Sequence, residues 1–133
     1  MKVFRFFLLF ALPAVLACNS SSTIPSEQMD PQLQLHDIWA LEWMKDQEVT
    51  ERQFTRGVPV LEIFVVDGRV QGHNGCNQIQ GPLQISKEAL QFGPLISTRM
   101  ACNDDGFEQA FMKNLEGPLA YELAEGKLTL SKS

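Results

Sequence analysis

From residue 35 onward, apolar and polar positions alternate in short runs, and the repeat is mostly two. Trp39, Leu41 and Trp43 alternate with Ala40 and Glu42, which predicts a first strand over residues 38–44. Residues 60–66 (VLEIFVV) predict a more fully apolar strand. Asp67-Gly68 is a strong hairpin signal after it, with residues 69–73 as the returning arm. Residues 83–86 and 90–92 flank a short polar turn and predict a second hairpin. Leu119, Tyr121 and Leu123 alternate with Ala120, Glu122 and Ala124, and Glu125-Gly126 turns the chain into residues 127–131, a third hairpin.

One segment has a different period. Phe107, Ala110, Phe111 and Leu115 fall at i, i+3, i+4 and i+8, a helical stripe near residues 104–115. Asn103, Asp104 or Asp105 suits its N-cap, and Gly117-Pro118 ends it. A Phe107/Phe111 pair at this spacing packs a helix on a sheet far more often than it forms a ligand box. The expected fold class is mainly β (α+β), an antiparallel barrel closed at one end by a single helix.

The first 34 residues follow another logic. Lys2 and Arg5 precede an apolar stretch from residue 6 to 17, broken by Pro13. About 12 residues is too short to span a bilayer, which takes roughly 20, but fits a secretory signal. Val15-Leu16-Ala17-Cys18 resembles a lipobox, so residues 1–17 read as a signal peptide and Cys18 as the lipid-attachment site. Val15 and Ala17 also satisfy an ordinary signal peptidase, which would leave Cys18 a free thiol. Residues 18–34 open with Asn19-Ser20-Ser21-Ser22-Thr23 and are poor in apolar residues, as in a flexible tether. By resemblance to Gram-negative lipoproteins, Asn19 in place of Asp favours an outer-membrane anchor facing the periplasm. Residues 35–133 remain for one folded domain.

The whole chain carries 11 basic and 16 acidic residues, a net charge of −5. Loss of Lys2 and Arg5 with the signal brings it to −7. No Lys/Arg cluster marks a nucleic-acid surface, so a nucleic-acid partner is not expected. With Cys18 assigned to lipid, Cys76 and Cys102 form an even pair in an oxidising compartment, and a disulfide is the favoured reading. Such a bridge closes a loop of about 27 residues, worth roughly 3–4 kcal/mol in the chain-entropy model. Three other readings stay open. Two buried free thiols are one, and a Cys/His nucleophile pair is another. The third is a zinc site from His73, Cys76 and Cys102, for which a fourth ligand is lacking because His36 falls in the first strand.

The motifs Gly72-His73-Asn74-Gly75-Cys76-Asn77 with Gly81, then residues 90–95 (LQFGPL), then Ser97-Thr98-Arg99-Met100-Ala101-Cys102, stand ahead of a helix carrying Glu108. This ordered set resembles the META domain, the family of HslJ-like envelope lipoproteins, over about residues 39–130. Trp39-Ala40-Leu41 matches the family's opening. Two features depart from it. Gly81 is followed by Pro82-Leu83 where an aromatic is usual, and no further strand follows Leu128-Thr129-Leu130. The resemblance implies a small lipocalin-like antiparallel β-barrel, incompletely closed. It also implies a place in the cell envelope under heat shock or antibiotic stress, with no catalytic residues to transfer.

Asn77, Thr98 and Arg99 are the candidate motif residues. Asn77 suits a local backbone bond or a left-handed turn, and Arg99 suits either an exposed contact or a partner to Glu108. Gly72, Gly75 and Gly81 suit turns that a side chain would obstruct. No paired carboxylates, Ser/His/Asp set, phosphate loop or complete metal site stands out. The expected function is therefore a non-enzymatic envelope module that binds or stabilises proteins. It needs no cofactor or metal, and its membrane contact runs through Cys18. The alternative is a carrier of a small hydrophobic ligand.

Overall fold

A computed structural model describes residues 30–103 and 105–132. The expected signal peptide, Cys18 and the tether up to residue 29 lie outside the described residues. A 3-10 turn, Pro31–Leu35, overlaps the end of the expected tether and brings Leu35 to full burial. The Trp39 indole N–H donates to the Leu35 carbonyl at 3.0 Å, which fixes that turn against the first strand.

Strands β1 (Ile38–Ala40), β4 (Val60–Phe64), β5 (Arg69–His73), β6 (Gln78–Ile85), β7 (Ala89–Phe92), β9 (Pro118–Ala124) and β10 (Lys127–Lys132) pair in that order, all antiparallel. Strand β8 (Ile96–Ser97) pairs with β6 off this path, and β2 (Trp43–Met44) with β3 (Gln47–Glu48) makes a separate ribbon. The main sheet curls into a nearly closed barrel whose seam, between β1 and β10, is unsealed. An exposed ion pair, Lys127 to Glu42 at 3.2 Å, reaches from β10 to the segment after β1. Ion pairs this exposed contribute little to stability.

Alternation builds the core. Leu61 and Ile63 of β4, Val70 of β5, Ile79 and Leu83 of β6, Leu90 and Phe92 of β7 and Leu119 of β9 are buried together with Leu35. Helix α1 (Phe107–Asn114) covers them with Phe111, and Leu115 follows from its C-terminal cap. The helical stripe and the three hairpins are where the sequence pattern puts them. In the last hairpin Glu125 and Gly126 both have positive φ, 52° and 74°, as a two-residue turn of the primed type requires.

Several expectations need correction. The first strand ends after Ala40: the Leu41 N–H still donates in register to the Pro59 carbonyl at 2.9 Å, but proline has no N–H to return the bond, and Lys45, at φ 56°, then reverses the chain. The turn before β5 spans four residues, 65–68, and not Asp67-Gly68 alone. Only Gly68 takes positive φ there, so Val65 and Val66 leave the ladder and Val66 is 84% exposed. The helix N-cap is Gly106, left-handed at φ 84° and without a side chain to cap with, while Asp104, one of the three expected caps, lies outside the described residues. His36 caps the 3-10 turn and is not in a strand.

Candidate functional site

Strand β5 ends at His73, and the next four residues turn the chain into β6. Asn74 shapes this turn from inside: its Oδ1 accepts from the Cys76 N–H at 3.1 Å and the Asn77 N–H at 2.7 Å. A short polar side chain that bonds backbone two and three residues on defines such a turn. Two glycines are needed around it. A Cβ on Gly72 would collide with the Val60 carbonyl oxygen of the paired strand, and one on Gly75, at φ 93°, would overlap the Phe54 ring.

Asn74 and Asn77 are 1% and 4% exposed, so every polar atom they carry needs a partner. Both Nδ2 groups donate to the same oxygen, Glu108 Oε1, at 2.7 Å each. Asn77 Oδ1 accepts from the Thr98 hydroxyl at 3.0 Å and the Met100 N–H at 2.6 Å. Thr98 in turn accepts the Gln78 N–H at 3.1 Å, and its own N–H reaches the Gln78 carbonyl at 3.1 Å. A disulfide joins Cys76 to Cys102 with Cα atoms 6.0 Å apart. The segment 98–102 is thus held at three points to one turn, and the first turn of α1 is held to the same turn through Glu108.

This changes the roles assigned to the candidate residues. Asn77 bonds a distant backbone group, Met100, and is not among the left-handed residues. Arg99 is exposed, and among the described residues no ion pair joins it to Glu108. Asn74 was missed as a hub; its signal was the Asn74-Gly75-Cys76-Asn77 spacing, which reads equally well as an unremarkable turn. With Cys76 in the disulfide, no thiolate is left for a nucleophile beside His73. His73 Nδ1 accepts the Gly75 N–H at 3.2 Å, and burial, followed by the nearby Arg56 charge, lowers its pKa below the ordinary 6.5. His36 instead packs on Phe64 and accepts the Val65 N–H, so the two histidines serve different places. Among the described residues no group of three or more His, Cys, Asp and Glu is placed to hold a metal.

Two hollows flank this hub, one on each side of the ridge Ile96, Ser97 and Thr98. One, about 590 Å³, lies on the outer face of the sheet, where Ile38, Glu62, Gln71, Gln80 and Ile96 form a single cross-strand row. Within that row Gln71 donates to Glu62 at 2.7 Å. The other, about 780 Å³, is bordered by Leu95, Arg99, Met100, Ala101 and Glu108. His73, Ser97 and Thr98 also line the first hollow, and Asn77, Ser97 and Thr98 the second.

Comparison with curated proteins gives no match. A solved structure described as the NMR structure of a protein is similar with a TM-score of 0.59 and 22% identity, over 77% of this chain and 86% of that one. That likeness supports the barrel fold. The family model described as META domain matches residues 31–133, which include the hub, both cysteines of the bridge and every strand described above. The chain belongs to the META domain family.

Proposed function

We propose that this META domain is a non-enzymatic module that binds or stabilises proteins of the cell envelope. In this reading Cys18 is acylated after removal of residues 1–17 and holds the module to a membrane, the outer membrane on the strength of Asn19. A role under heat or antibiotic stress is the physiological setting. The packed interior carries the preference for a protein partner. Leu35, Ile63, Val70, Ile79, Leu90 and Leu119 are each at most 2% exposed and meet along the barrel axis, where a carrier needs room. Interiors packed in this way accept a ligand only by moving side chains.

Photo-crosslinking in intact cells, with Cys18 retained, tests the reading. A defined envelope protein cross-linked from surface positions supports it. An apolar small molecule that survives native extraction and appears by mass spectrometry would favour the carrier. Palmitate incorporation that persists in Cys18→Ser would remove the anchor.

A further inference from the structure

The ridge and loop at residues 96–100 combine three properties seldom found together on one surface. The first is exposed apolar area: Ile96 is 63% exposed and Met100 46%. The second is fixed backbone. Asn77 Oδ1 holds the Met100 N–H and the Thr98 hydroxyl, and the disulfide pins Cys102. Ordering an interface loop opposes binding, and here the fold has already done it.

The third is unpaired positive charge. Arg99 and Arg56 are both exposed, and neither makes an ion pair among the described residues. Arg56 is itself positioned: its N–H donates to the Gly75 carbonyl at 2.9 Å and its Nη1 lies 3.3 Å from Met100 Sδ. A chain of net charge −5 thus keeps one guanidinium against Met100 and another on the adjacent residue, neither ion-paired with a carboxylate among the described residues. Glu108 borders the same hollow, but its Oε1 is taken up by the two buried amides.

We propose that Ile96, Arg99 and Met100, together with Arg56, form the docking surface for an acidic segment of a partner protein. The partner's carboxylates meet the two guanidiniums and its apolar side chains cover Ile96 and Met100. This deepens the protein-binding reading above and rests on it. Arg and Met are enriched at protein interfaces, and guanidinium matches carboxylate geometry. An anionic membrane is the poorer occupant, because surface attachment draws on clusters of roughly 4–8 basic residues. Two arginines on a net acidic body fall short of that.

The test titrates the full chain, by NMR, with a 12-residue peptide carrying two Glu among Leu and Val. Its Gln counterpart and vesicles of anionic phospholipid serve as the other arms. Expected are shifts confined to residues 95–101 and Arg56, with binding weakened roughly tenfold in R56A/R99A at unchanged thermal stability. Binding should also fall from 50 to 500 mM salt. Equal binding of the Gln peptide, shifts elsewhere, or no binding at millimolar peptide overturns the proposal, and arginine-dependent vesicle binding replaces the partner with a lipid surface. A photo-crosslinker at Ile96, compared with one at Val66, separates the two readings in cells. Partners captured only away from Ile96 sink this surface and leave the module standing, whereas none captured from any position sinks both.

Discussion

Asn77 Nδ2 and Glu108 Oε1 lie 2.7 Å apart and join the turn before β6 to the first turn of α1, residues 31 positions apart in the chain. The same oxygen accepts from Asn74 at 2.7 Å. One carboxylate oxygen therefore satisfies two buried amides from one turn. Glu108→Ala removes this acceptor from both amides, leaving Asn77 Nδ2 only its bond to Cys76 Sγ at 3.3 Å, and is expected to destabilise the domain by about 2–4 kcal/mol, since each unsatisfied buried group costs roughly 1–3 kcal/mol. Glu108→Gln, which retains an acceptor oxygen, is expected to lose less. Urea unfolding of the two variants checks the order.

Asn77→Asp replaces the Nδ2 donor with a second acceptor facing Glu108. Two carboxylates at hydrogen-bond distance cannot both ionise without penalty. The variant is expected to be less stable than Asn77→Ala at pH 7 and to recover part of the difference near pH 4, where one carboxylate takes a proton. Equal stability of the two variants at both pH values would contradict the hydrogen-bond assignment.

The Cys76–Cys102 bridge closes a sequence separation of 26 residues. Its removal in Cys76→Ser/Cys102→Ser is expected to cost about 3 kcal/mol through the unfolded chain. Asn77 keeps its hold on Met100 in that variant, so the fold should persist. Hydrogen exchange is expected to quicken around Cys102 more than at Met100.

His73 carries a pH signature. Burial and Arg56 hold its folded pKa below 6.5, so the unfolded chain binds a proton more readily than the folded one. The stability it contributes is fully present above pH 6.5 and is lost as pH falls toward the folded value. His73→Gln is expected to flatten that part of the stability–pH curve. An identical slope in the variant would assign it to another group.

Gly72 is a steric requirement of the β4–β5 pair, because an added Cβ meets the Val60 carbonyl. Gly72→Ala is expected to destabilise by roughly 3 kcal/mol or more, as overpacking against backbone does. Gly126→Ala, with open space around it but φ 74°, should lose only about 1 kcal/mol. Thermal unfolding of the two variants separates obstruction from backbone strain.

Local pattern was sufficient for the strands around Ile63, Val70 and Leu119, for the Glu125-Gly126 turn and for the Phe107/Phe111 helix. Each of these is decided by neighbours within a few residues. It failed at Leu41, where the partner in the ladder is Pro59, which has no N–H to return the bond and so ends the pairing. The motif residues Asn77, Thr98 and Arg99 were visible as a set, but their tasks were not. Asn77 is buried and Thr98 reaches it from the surface through its hydroxyl, while Arg99 stays exposed.

The sequence by itself determined the period-two strands, the lone helical stripe, the family motifs and the pairing of the two body cysteines as the favoured use of their sulfurs. Those follow from side-chain periodicity and residue chemistry, which act locally. Only the tertiary structure decided that Asn74, Asn77 and Glu108 share one oxygen, that the ridge at Ile96 and Met100 is held rigid yet exposed, and that Arg56 reaches Met100. Such relationships join residues up to 44 positions apart, and they exist only once the sheet has curled and brought those segments into contact.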